Sequence, residues 1–187
     1  KKLLAVLLVL IVVAYPVVVY LGLKNFDAKI VAGVLLVLFV LRFFMVKKVK
    51  KEDLKQLLPI CLAVAITSLL VLLFHQSIYL TLTPFFINLV MLITFSATLK
   101  KGPSMIERFA RIQEPDLPEK AIPYCRKVTI VWCGFFIING SIALWTALFS
   151  SLERWTLYNG LISYILMGIL FAVEFAVRLT QKKKHRS

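Results

Sequence analysis

The chain has 187 residues, 60% of them hydrophobic, with a mean hydropathy of +0.89 and a formal net charge of +14. That apolar content excludes an ordinary soluble domain and leaves no room for a separate one. The charge excludes nucleic-acid binding by its distribution, because no basic face interleaved with exposed aromatics accompanies it.

Six apolar stretches run in order: Leu3–Leu23, Ile30–Val46, Leu57–Phe74, Tyr79–Thr98, Val128–Phe149 and Leu157–Val177. A helix needs roughly 20 residues to cross a ~30 Å hydrocarbon core, and each stretch is near that length. Backbone amides inside that core must be satisfied within the segment, so helices are expected. The expectation is an all-α integral membrane protein, one domain over 1–187, with six transmembrane helices as three hairpins.

The first stretch contains Pro16, which predicts a kink. Its apolar run is too long for a signal peptide, and no small-residue cleavage site follows. Lys24–Lys29 reads as a tight turn. Arg42 lies near the end of the second stretch, and Lys47–Lys55 form the next loop. His75-Gln76-Ser77 is a short turn between stretches three and four, and its lone histidine is no metal site.

The loop 100–127 is the sizeable extramembrane segment. Ser104 with Glu107 three residues on predicts a capping box. The helix expected over 105–113 places Met105, Ile106, Phe109, Ala110 and Ile112 on one arc, with Glu107, Arg108 and Arg111 on the other. Such a helix suits the headgroup plane, apolar arc to the bilayer and Arg108 and Arg111 to water or phosphate. Docking of a cytoplasmic partner is the other reading. Pro115, Pro118 and Pro123 are expected to keep the chain irregular up to the fifth stretch. Glu107, Glu114, Asp116 and Glu119 form an acidic cluster without the helical spacing a divalent metal needs. A five-residue loop, Ser150–Arg154, joins the last two stretches, with Trp155 and Tyr158 at aromatic-belt depth.

Placing the N-terminus inside collects 20 of the 23 Lys and Arg residues on the inner side, leaving Lys24, Lys29 and Arg154 outside. That asymmetry predicts both termini in the cytoplasm. The inner charge also attracts anionic lipid headgroups, by on the order of 1 kcal/mol per residue. Cys61, Cys125 and Cys133 lie toward the inner side, where a disulfide is not expected.

Arg42 and Glu174 are the charged residues inside stretches. One reading has them at the interface, Arg42 snorkelling and Glu174 paired with Arg178 one turn on. The other is a pair between Arg42 and Glu174, or a polar site between their helices. Asn88, Asn139 and Asn159 are expected to bond between helices. The small-residue stripes Gly168/Ala172/Ala176 and Gly140/Ala143/Ala147 predict close packing of stretches five and six on each other. No triad, HExxH or phosphate loop is present, so no catalytic residue or cofactor is expected.

LLFHQSIYL (72–80), LKKGPSMIERF (99–109) and VWCGFFIINGSIALW (131–145) are similar to stretches of the bacterial intracellular septation protein A family. The chain resembles that family of small inner-membrane proteins from about Ala14 to Arg178. The loop RIQEPDLPEKAIPYCRK is longer than that family's. With SMIERFARIQEPDLP it is similar to a branch of bacterial membrane proteins encoded beside fatty-acid-like synthase genes for aryl-polyene pigments. The resemblance implies envelope maintenance or envelope lipid synthesis through other inner-membrane proteins, and supplies no catalytic residue. A non-enzymatic scaffold or accessory subunit is the leading expectation. A small transporter or lipid-handling protein, and an enzyme acting on a lipid-linked substrate, are the alternatives.

Overall fold

Backbone amides buried among apolar side chains are satisfied within a helix, and most of the described residues are helical. The computed structural model describes residues 2–45, 66–74 and 76–184, with side chains over 14–37, 66–74, 76–112 and 114–178. Among the described residues there is no strand.

Helix α1 (Lys2–Asn25) runs through Pro16 and meets α2 (Ala28–Met45) after two residues, Phe26 and Asp27. The turn is fixed at both ends. Asn25 Nδ2 donates to the Leu21 carbonyl at 2.7 Å, and the Lys29 amide donates to Asp27 Oδ1 at 2.8 Å. Asp27 thus caps α2. Helix α3 covers 66–74. The short α4 (Ile78–Thr81) is followed at once by α5 (Thr83–Lys100), with Pro84 in the first turn of α5.

Helix α6 (Met105–Gln113) has the bounds the amphipathic pattern predicts. The prolines do keep 114–118 irregular, but α7 (Ile122–Phe149) starts six residues before Val128. Pro123 lies in its first turn, where a missing N–H costs nothing because that amide has no helical acceptor. The expected loop 150–154 shortens to Ser150 and Ser151. Helix α8 (Leu152–Leu157) then runs through a π-helical turn, Tyr158–Ile162, into α9 (Ser163–Lys184).

Among the described residues three helical stretches are long and apolar enough to cross a membrane: Ile78–Lys100, Glu119–Phe149 and Leu152–Arg178. The chain therefore has the character of a membrane protein. Its lipid-like surface is extensive: Ile138, Ile169, Phe171 and Phe175 are all more than half exposed.

Among the described residues two cores hold the helices together. One joins Tyr15 and Val19 of α1, Val31, Ala32 and Leu35 of α2, Val71, Leu80 and Trp155. The other joins Phe95 of α5, Met105 of α6, and Val128, Trp132, Cys133 and Phe136 of α7. Phe95 meets Phe136 edge-on at 5.1 Å between ring centroids, a favoured aromatic geometry. Among the described residues α5 and α7 share the most extensive helix–helix contact. Gly140 makes that approach possible, since a Cβ there would stand 3.0 Å from Asn88 Cβ.

This corrects the expectation that stretches five and six pack on each other through their small-residue stripes. Gly140 and Ala143 face inward but Gly140 meets Asn88 of α5, while Gly168, Ala172 and Ala176 of α9 are exposed. Trp155 is likewise no belt residue. It is 1% exposed, and its indole Nε1 donates to the Thr81 carbonyl at 2.9 Å.

Candidate functional site

Helix α6 is the element that departs most from a passive loop. Its first amides are capped by hydroxyls from two membrane helices. The Met105 amide donates to Thr98 Oγ1 of α5 at 3.0 Å, and the Ile106 amide to Thr129 Oγ1 of α7 at 3.3 Å. These threonines satisfy two of the four orphan donors of the helix start. The capping box expected from Ser104 and Glu107 does not form. Ser104 Oγ is buried and bonds nothing, and Glu107 reaches forward to Arg111 instead. Two acceptors already in place from α5 and α7 remove the need for a local cap.

Glu107 is 6% exposed, so it is no member of a solvent-facing acidic cluster. Its Oε1 accepts from Arg111 Nη2 at 2.9 Å and from Nε at 3.1 Å. A buried carboxylate needs such a partner. Arg111 also lies 3.5 Å from the Pro115 carbonyl, so it ties α6 to the following loop. The predicted apolar arc divides in two. Met105 and Ala110 are buried and Ile106 packs on the α5–α7 core, whereas Phe109 is 40% and Ile112 72% exposed. Arg108 is exposed beside them and donates from Nε to the Pro103 carbonyl at 3.0 Å.

The second sequence-predicted group lies where α7 and α9 meet. Glu174 and Arg178 are both half-buried. No contact within 4.0 Å joins these two side chains; the partner of Glu174 is Tyr124, whose hydroxyl lies 3.3 Å from the Glu174 carbonyl and 3.5 Å from Oε1. The side chain of Arg42, offered as the other partner, lies outside the described residues, as does His75. Nothing in the sequence singles out Tyr124, because a tyrosine near a helix start carries no sign of what it faces.

Deeper in the membrane helices the three asparagines behave as expected. Asn139 Nδ2 donates to Asn88 Oδ1 at 3.1 Å, and Tyr158 donates to Asn139 Oδ1 at 3.0 Å. Asn88 Nδ2 returns to the Pro84 carbonyl at 2.8 Å. Asn159 Nδ2 donates to Thr146 Oγ1 at 3.2 Å. Tyr158 and Asn159 are adjacent in the π-turn yet reach α7 at positions 139 and 146. Such turns recur at functional positions. A groove of about 410 Å³ opens beside this network, lined by Gly134, Phe135, Ile138, Asn139, Tyr158, Leu166 and other apolar side chains.

A cleft of about 450 Å³ lies at the opposite end from α6, bordered by Leu23, Phe26, Ser77, Thr146 and Trp155. Among the described residues that line it there is no Asp, Glu, His, Lys or Arg. Among the described residues no group of three or more His, Cys, Asp or Glu side chains is placed to hold a metal ion. Cys125 and Cys133 are free thiols. No protein-family model, curated protein or solved structure matches the chain.

Proposed function

We propose that the chain is a six-span bacterial inner-membrane protein, with both termini and α6 on the cytoplasmic side. It supports cell-envelope or lipid biogenesis as a non-enzymatic scaffold or accessory subunit, working through other inner-membrane proteins. Helices α1 and α2, with the apolar stretch of sequence that includes α3, are read as three further crossings beside the three long apolar stretches. The inner side then carries 20 of 23 basic residues. The resemblance to the intracellular septation protein A family supports the envelope role.

The observation that carries the scaffold reading is where the intramembrane polar groups go. Asn88, Asn139 and Tyr158 bond one another, and Asn159 bonds Thr146, across α5, α7 and the π-turn. Tyr15, Thr83 and Thr67 do the same across α1, α5 and α3. Polar side chains engaged in this way hold helices together. They are not arranged around a reacting atom.

A lipid-handling protein is the second reading, favoured by the groove with Asn139 and Tyr158 at its polar edge. Photo-crosslinking in native membranes separates the two. A photoreactive residue replacing exposed Ile169 or Phe175 on α9 should trap one inner-membrane protein of envelope assembly. A lipid that co-purifies in the α7–α9 groove and is lost with Tyr158→Ala, with no protein trapped, would favour lipid handling. Turnover of a lipid-linked substrate by the purified chain would overturn both.

A further inference from the structure

The loop between α5 and α6 is a cationic ledge with an apolar neighbour. Lys101 ends α5 in an extended conformation, and Gly102 follows with φ +90°, a backbone region that favours glycine. The turn brings α6 back so that Arg108 lies over the loop. Arg108 Nε holds the Pro103 carbonyl at 3.0 Å, and its Nη2 is 3.6 Å from where a Gly102 Cβ would stand. From α7, Arg126 Nη1 holds the Leu99 carbonyl at 2.9 Å. Each guanidinium is thus fixed in place through one of its five N–H donors.

Lys100, Lys101, Arg108, Arg126 and Lys127 are all exposed here. The carboxylate in α6, Glu107, is buried against Arg111 and does not neutralise them. Directly beside Arg108 stand the exposed Phe109 and Ile112.

We propose that this ledge binds the headgroup phosphate of an anionic phospholipid, held by Arg108, Arg126 and Lys101. Phe109 and Ile112 sit among the first methylenes of its acyl chains. Guanidinium forks match phosphate oxygens in pairs, and pre-positioned forks lose little freedom on binding. The apolar pair commits the site to a lipid, since a soluble phosphate has nothing to place against it. The inference rests on the membrane reading of the chain and not on its accessory role.

Native mass spectrometry of the full chain, after exchange into mixed phosphatidylglycerol and phosphatidylcholine, tests it. The wild type should retain phosphatidylglycerol preferentially. The triple variant Lys101→Gln/Arg108→Gln/Arg126→Gln should lose that retention about tenfold. The control Lys24→Gln/Lys29→Gln/Arg154→Gln removes as many charges at the other end and should leave it unchanged. Equal losses in both would mean diffuse charge attraction and overturn the site. A second arm keeps all charges: Phe109→Trp should be quenched by phosphatidylglycerol brominated high on its chains. Absence of quenching overturns the proposal, as does displacement of the lipid by ~10 mM inorganic phosphate, which would mark a free-anion site. A wild-type chain with no preference for phosphatidylglycerol, whose α9 still traps an envelope protein, would sink this site and leave the scaffold reading standing.

Discussion

The hydroxyl of Tyr15 lies 3.0 Å from the carbonyl oxygen of Leu80, which is 65 residues away in the sequence. In a helix that carbonyl would receive the amide of residue 84, but residue 84 is proline and has no N–H. The carbonyl keeps a backbone N–H from the end of α4, and Tyr15 takes the place that the residue-84 amide would fill, with its oxygen also 2.7 Å from Thr83 Oγ1. A defect in one helix is therefore repaired by a side chain of another. Tyr15→Phe should lower stability in detergent by about 1 kcal/mol. Adding Pro84→Ala should recover most of that loss, because an alanine N–H can take over the bond. Thermal unfolding of the four variants checks it; no recovery in the double variant would reject the repair.

The second prediction sets two threonines against one serine. Thr98 and Thr129 accept the first two amides of α6, whereas Ser104 Oγ accepts none. Thr98→Val and Thr129→Val should each weaken α6 docking by roughly 0.5–2 kcal/mol, the usual cost of losing a cap. Ser104→Ala should be near neutral. Hydrogen exchange at the Met105 and Ile106 amides, or protease nicking within 114–118, reports the docking. A larger effect from Ser104 than from either threonine would restore the capping box.

Glycine substitutions make a third test with internal controls. Gly140→Ala would place a Cβ 3.0 Å from Asn88 Cβ, between two backbones that cannot part without loosening the 3.1 Å Asn139–Asn88 bond. It should cost about 1–3 kcal/mol. Gly134→Ala and Gly168→Ala meet nothing within 4 Å and should be neutral or slightly stabilising. Equal effects at all three sites would mean that α5 and α7 are not in close contact.

Topology is the fourth. On a background without native cysteines, Asp116→Cys should react with an impermeant thiol reagent only after the cytoplasmic side is opened, and Glu153→Cys from the outside. Both positions are exposed in the structure. Reversal of the pair, or reaction of both from one side, would refute the six-span orientation.

How much of this was readable in the sequence depended on polarity. Helix α6 could be bounded to the residue, because alternating charge and apolar residues leave a 3.6-residue period. The membrane helices carry no such period. When lipid and protein interior are equally apolar, a stripe such as Gly168/Ala172/Ala176 looks the same whether it faces a neighbour or a lipid, and here it is exposed. Rare polar residues were better guides: Asn88, Asn139 and Asn159 do bond between helices. The threonine caps and the burial of Glu107 were not legible, since both depend on where α6 lands on α5 and α7. The same holds for Tyr15, whose partner is set by a proline 69 residues further on.

The last prediction concerns Glu174, expected to be held by Arg178 or Arg42. In the structure its partner is Tyr124 of α7, with Arg178 beyond 4.0 Å. One hydroxyl proton is shared between two acceptors, and the nearer is the backbone carbonyl at 3.3 Å, not the carboxylate at 3.5 Å. The bond should therefore survive loss of the side-chain acceptor. Tyr124→Phe should cost roughly 0.5–1 kcal/mol, in the range measured for bonds between membrane helices. In a Glu174→Leu background most of that cost should remain. Glu174→Leu and Arg178→Gln should be additive within ~0.5 kcal/mol, as expected for side chains without direct contact. Thermal unfolding of these single and double variants in detergent gives each coupling. A coupling of Glu174 to Arg178 above ~0.5 kcal/mol would show the intrahelical ion pair to be the partner of the Glu174 carboxylate. The α7–α9 contact would still be held by Tyr124 on the Glu174 carbonyl and by Trp132 against Phe171, whose ring centroids lie 4.6 Å apart.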